Sequence, residues 1–367
     1  MSDLSVNSIL DASGGATTTI NGYTPTVSNM AGRNRIINGD MRIDQRNNGA
    51  AVSTNGAFPL DRWTLSKDGG TIAASRSTVF PAGFTNSLLF SVTTGYTPTA
   101  AQQNNVRQNT EGFNVSDFGW GAAGAQSVVL SFWVRSSLTG TFAGSVNNSA
   151  YNRSYVYTYS VSAANIWEYK TVIIAGDTSG TWLTDNSVGL RVIFDLGSGS
   201  DYNATAGVWS AGEKRNTAGA VQPITTSGAT FYITGVQLEE GSVATPFEHR
   251  QYGQELALCQ RYFQTNYTDG VAIGTITQTN AIGRWIDAAG NYAGILVNFA
   301  VRMRAVPSVV HWGVLAGATT GQVSGDGTNK AALVSHSGQW GVTISTNNVA
   351  SGSGESVRCN YTASSEL

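Results

Sequence analysis

Between Asn34 and about Glu248, short runs of β-branched and aromatic residues alternate with Gly, Asn, Ser and Thr. Ser127–Arg135 (SVVLSFWVR) is among the strongest, bounded on both sides by turn residues. Tyr151, Tyr155, Tyr157 and Tyr159 recur largely at period two, which predicts one aromatic sheet face. The runs 167–174, 188–195 and 229–238 continue the series. Strands at this spacing, with little helical periodicity between them, predict an antiparallel β-sandwich of jelly-roll type over residues 35–248.

The helical exception spans Arg250 to about Gln264. Tyr252, Leu256, Cys259 and Phe263 recur there at three- and four-residue spacing. Beyond it, residues 265–367 read as a second β-rich domain, with strands at 294–301, 308–314, 338–344 and 356–362. Gly317 to Lys330 reads as an exposed loop. Residues 1–34 hold too little apolar material for a core and read as an extended arm. No fixed-period repeat marks a β-helix or propeller.

Composition sharpens this picture. Charged residues make up 12% of the 367, about half the usual share, while Gly alone contributes 43. With a net charge of −2 and four lysines, the chain lacks the basic stripe that nucleic-acid binding requires. No run approaches a membrane span, and Met1 to Leu10 has neither the basic nor the apolar region of a signal peptide. The expectation is a chain assembled in a cytoplasm without membrane insertion. Cys259 and Cys359 sit in no metal-binding spacing, and buried free thiols are preferred to a disulfide.

Several stretches resemble phage tail-fibre and receptor-binding virion proteins. Asn34–Met41 (NRIINGDM) with Asp61-Arg62-Trp63 resembles the opening of a carbohydrate-binding-module-like jelly roll. Ile233–Arg250 (ITGVQLEEGSVATPFEHR), running into Tyr252–Phe263, resembles its closing strand and the helix that follows. Met303–Pro307 (MRAVP) and Ala363–Leu367 (ASSEL) are similar to segments of fibre tips, and Ser5–Gly15 to a particle-anchoring arm. The resemblance implies a virion structural protein, a homotrimer, attached through residues 1–34 to tail or collar proteins and recognising a host surface polysaccharide. A capsid or collar fibre without a receptor role, and a polysaccharide-degrading tailspike, are the alternatives.

The helical stripe has two readings, a three-stranded seam or a cover for the edge of its own sandwich. The pattern divides them evenly; the resemblance favours Tyr252, Leu256, Cys259 and Phe263 as trimer contacts. Glycan sites pair an aromatic platform with polar neighbours, because sugar rings present apolar C–H faces. Trp120, Trp182, Trp209, Trp312 and Trp340 lie in suitable surroundings, although core packing is the commoner role for any single Trp. Trp63 and Trp133, inside strand-like runs, are assigned to the core.

Catalysis finds less support. Asp40/Asp44 and Glu239/Glu240 are the closest acidic pairs, and His249, His311 and His336 are scattered. No GxSxG, HExxH or P-loop occurs, so the expectation is a non-enzyme with no cofactor. A structural Ca²⁺ held by Asp40, Asp61 or Glu239 is a minor expectation.

Overall fold

The computed structural model describes residues 32–285, 293–325, 327–346 and 356–367, so the arm and its Ser5–Leu10 run lie outside the described residues. The first domain contains strands β1 (Trp63–Lys67), β2 (Thr71–Ser77), β3 (Ser87–Thr94), β4 (Gln103–Glu111) and β5 (Val128–Ser136). It continues with β6 (Gly140–Asn148), β7 (Arg153–Val161), β8 (Glu168–Ile174), β9 (Val188–Ser198), β10 (Trp209–Ala211) and β11 (Thr230–Glu240). Two antiparallel sheets, ordered β1-β4-β9-β6-β7-β10 and β2-β3-β11-β5-β8, form a jelly-roll sandwich. The predicted fold class holds.

Alternation decides what fills the core. In β5, Val128, Leu130, Phe132 and Val134 point inward, while Val129, Ser131, Trp133 and Arg135 take the other face. Trp133 is thus half-buried on the outer face, which corrects its assignment to the core. Its neighbour Phe132 already occupies the inward direction. On β7, Tyr155, Tyr157 and Tyr159 do line the core as their spacing predicts, whereas Tyr151 lies in the preceding turn. Tyr157 reaches across to donate to the Ile193 carbonyl at 2.8 Å. Trp63 is fully buried, as expected.

The resembling motifs are the clasp of this sandwich. Asn34 Nδ2 donates to the Val236 carbonyl at 3.0 Å, and its Oδ1 accepts from Leu238 N at 3.1 Å. Asn38 donates to the carbonyls of Ile43 and Asp61 and accepts from Ile43 N. Trp63 Nε1 donates to the Asn38 carbonyl at 3.1 Å. Gly39 passes so near Val236 that a Cβ would collide with its carbonyl oxygen. Arg250 in turn donates to the Asn34 and Ile36 carbonyls. The opening and closing motifs are therefore one hydrogen-bonded unit, and their side chains serve the backbone.

Helix α1 is Tyr252–Gln260, shorter than the sequence reading of Arg250 to Gln264. It stops because Phe263–Thr265 is taken into β12, which pairs with the C-terminal strand. The second domain continues with β13 (Ile282–Trp285), β14 (Ala293–Asn298), β15 (Ser308–Trp312), β16 (Gln322–Gly325) and β17 (Thr328–Ala331). β18 (Leu333–Ser335), β19 (Gly341–Thr346) and β20 (Ser356–Ser364) complete it. β20 is its hub, pairing with β12, β13, β15 and β16. The expected loop at Gly317–Lys330 instead holds the β16–β17 hairpin, tied down by the buried Val323.

Buried charges weld the two domains. Arg46 pairs with Asp61 at 2.5 Å and Glu366 at 2.8 Å, and Arg62 pairs with Glu366. Their guanidiniums lie over the Phe263 and Tyr262 rings, 3.8 and 3.5 Å from the centroids. Arg261 grips the buried Glu111 through two bonds of 2.9 and 2.5 Å. Burial pushes the Asp61 carboxyl up to about 6, against the opposing pull of Arg46.

Two outcomes test this fold. Asn38→Ala leaves buried backbone groups unpaired and should lower stability by about 3 kcal/mol in denaturant unfolding. Burial raises the Asp195 carboxyl to about 7. The folded state then keeps a proton that the unfolded state loses near its ordinary value, so this contribution falls as pH rises from about 4 through 7. The loss approaches about 4 kcal/mol, and Asp195→Asn should flatten that slope in a pH series of melts.

Candidate functional site

Three of the five candidate tryptophans, far apart in sequence, meet at one end of the sandwich. Trp120 follows the single turn Ser116–Phe118 and Gly119, whose φ of 61° lets the chain reverse. Trp182 stands on the β8–β9 loop and Trp209 on edge strand β10. Their ring centroids are 4.7, 5.3 and 5.4 Å apart, with interplanar angles of 78–80°. Such edge-to-face contacts set the positive ring edge on the negative ring face.

Each indole N–H is already used. Trp120 donates to the Gln126 carbonyl at 2.7 Å and Trp209 to the Ala175 carbonyl at 2.8 Å. Trp182 donates to the Ser179 carbonyl at 3.2 Å and to Asp177 at 3.3 Å. Asp177 is buried and takes two further bonds, of 2.8 and 2.6 Å, from Arg153 on β7. These bonds raise the Arg153 pKa above its ordinary value. Sequence reading missed this pair, since nothing in a separation of 24 positions announces it.

Beside the cluster lies a cleft of about 170 Å³ lined by Val115, Phe118, Trp120, Trp182, Leu183 and Leu190. Its walls are mainly apolar, with Ser116 and Thr184 also lining it. It can seat a small apolar face, and its indoles have no N–H left to offer.

The remaining candidates do not join it. Trp312 is half-buried against Tyr267, with centroids 6.0 Å apart, and Trp340 stands 66% exposed on the second domain. Of the proposed trimer contacts, Cys259 and Phe263 are buried within their own chain, beneath Ile37, Ile43 and Tyr262 or against Arg46. These two are corrected to intrachain packing, because the junction between the β-regions buries them first. Leu256 is half-buried and Tyr252 is 49% exposed.

Cys259 and Cys359 are buried free thiols, both raised in pKa by burial. Asp40 pairs with Arg42, Asp61 with Arg46, and Glu239 accepts from Thr245. No group of three or more His, Cys, Asp or Glu gathers at one point among the described residues.

No family model and no curated protein matches the sequence. Among solved structures, the chain is similar to the enzymatically active domain of a bacteriophage CBA120 tailspike protein. Identity is 15% over 57% of this chain and 21% of that one, with a TM-score of 0.32. The alignment thus spans about a fifth of the tailspike structure. A sugar-binding protein described as putative, from Bacteroides thetaiotaomicron, aligns over 57% of this chain and 100% of its own, at 12% identity and TM-score 0.33. The CBM22-1 xylan-binding domain of Paenibacillus barcinonensis Xyn10C aligns over 54% of this chain and 99% of its own, at 10% identity and TM-score 0.25. The expectation of a non-enzyme is withdrawn, since an enzymatically active domain stands beside binding modules in this set.

Removing Arg153 strands a buried carboxylate beneath the indoles. Arg153→Ala should cost about 3 kcal/mol and shift tryptophan emission to the red; an unchanged spectrum would show that the pair does not order the cluster.

Proposed function

We propose that the chain is a phage virion attachment protein whose β-sandwich binds a saccharide on the host surface. The observation that carries this reading is the convergence of Trp120, Trp182 and Trp209 beside one surface cleft. Indole rings partly open to solvent, held rigid by their own N–H bonds, give a sugar's C–H face an apolar seat at small entropic cost. The jelly roll supplies the rigid support, and the tail-fibre resemblance in residues 34–63 and 233–263 supplies the virion context.

Within this reading, residues 1–34 dock on tail or collar proteins and the chain acts as a homotrimer. Three copies turn weak single-site binding into avid attachment by raising effective concentration. Trimer contacts then fall outside Cys259 and Phe263.

Light scattering on the eluting full-length chain tests assembly, with a mass near three chains expected and a monomer removing the trimer. Host polysaccharide tests the rest. The chain should bind it, and Trp182→Ala should weaken that binding by about tenfold. Shortened polysaccharide after incubation would assign a depolymerase instead.

A further inference from the structure

A second aromatic surface lies on the outer face of the β2-β3-β11-β5-β8 sheet, separate from the tryptophan cluster. Trp133 on β5 faces Tyr169 on β8 as a direct cross-strand pair, with ring centroids 5.5 Å apart. Phe84, from the β2–β3 loop, reaches over the bulge that breaks β11 between Thr234 and Gln237. Gly235 makes that approach possible. Its φ is +61°, and a Cβ there would stand 2.5 Å from Phe84 Cζ and 3.2 Å from Trp133 Cδ1. Phe247 and His249 complete the wall, with centroids 5.2 and 5.4 Å from Phe84.

The segment carrying them is fixed. Thr245 donates from its N and its Oγ1 to the buried Glu239, at 2.8 and 2.6 Å. Glu248 N donates to Gln237 at 2.8 Å. Phe84, Trp133, Tyr169, Thr245, Phe247 and His249 line a broad, open groove of about 580 Å³, a volume in the range of small-ligand sites.

Three features identify its occupant. First, the apolar lining is aromatic, with Ala, Pro and Gly; no Leu, Ile, Val or Met lines it. Grooves for lipid chains or amphipathic helices are built from those pliant aliphatic residues. Secondly, the polar ends of the rings are uncommitted. Trp63, Trp120, Trp182 and Trp209 all spend their indole N–H inside the chain. Trp133 Nε1, Tyr169 Oη and the His249 ring nitrogens have no hydrogen-bond partner among the described residues. Apolar ring faces with free donors and acceptors at their edges match a pyranose, which has C–H faces and an equatorial rim of hydroxyls. Thirdly, no Lys, Arg, Asp or Glu lines the groove, so nothing there counters a carboxylate or sulfate.

We propose that this groove is a binding site for a neutral saccharide segment, with Trp133 and Tyr169 as platform and their polar edges and His249 as hydroxyl partners. The inference rests on the reading of the sandwich as a saccharide-binding domain, and adds a second location and a ligand class.

Titration calorimetry of the full chain tests it, using short neutral oligomers of glucose, galactose, mannose, xylose and N-acetylglucosamine beside oligogalacturonate and oligosialate. At least one neutral oligomer should bind, about tenfold more weakly to Trp133→Ala and less affected in Tyr169→Phe, which removes only the hydroxyl. Oligomer binding that persists in Trp182→Ala and weakens in the platform variant belongs to the groove. Tyr169→Ala, at a position 43% exposed, gives a second platform variant should Trp133→Ala fail to fold. Binding that ignores both platform variants and is lost in Trp182→Ala overturns the groove and spares the proposed function. Binding of acidic oligomers alone overturns the ligand class. No binding of any oligomer or of host polysaccharide overturns both.

Discussion

The junction of the two β-regions rests on buried carboxylates paired with arginines, of which Arg62 is itself buried. Arg46 and Arg62 share Glu366, Arg46 also holds Asp61, and Arg261 holds Glu111. Removing one member of such a set leaves an uncompensated charge in low dielectric, at a cost of about 3–5 kcal/mol. That constraint places α1, packing Cys259 into a small core with Ile37, Ile43 and Tyr262. It also draws Phe263 out of helical conformation and into β12. The C-terminal half of a stripe that has the spacing of an oligomer seam, Cys259 and Phe263, is thereby consumed inside one chain.

The same economy separates the aromatic residues. A half-buried indole whose N–H is bonded at home is held rigid and keeps only its ring face to offer, as at Trp120, Trp182 and Trp209. An indole or phenol on an outer sheet face with its polar edge unused is arranged for something outside the chain. Trp133 and Tyr169 belong to the second kind, although Trp133 lies one residue from the core residue Phe132.

Much of this was legible. The alternation in 127–135 and 155–159 correctly announces strands and, for the tyrosines, the buried face. The same period of two carries the correction to Trp133. Phe132 and Trp133 cannot both face inward, and Arg135 shares the direction of Trp133. Hydrophobicity alone points Trp133 to the core; parity points it outward. The motifs Asn34–Met41 and Asp61–Trp63 are recognisable as a unit, but their role is structural, because Asn34 and Asn38 spend their side chains on backbone groups.

The sequence by itself determined the strand periodicity and the turn-rich sandwich. These follow from local rules, since side-chain direction and turn conformation are set within a few residues. Only the tertiary structure decided which tryptophans meet, that Arg153 and Asp177 hold them, and that Phe84 crosses a glycine bulge to wall a groove. It also decided that the C-terminal strand, by pairing with Phe263–Thr265, ends the helix. Those outcomes come from strand order and register between distant segments, where contact is fixed by mutual burial and hydrogen bonding and leaves no local spacing to read.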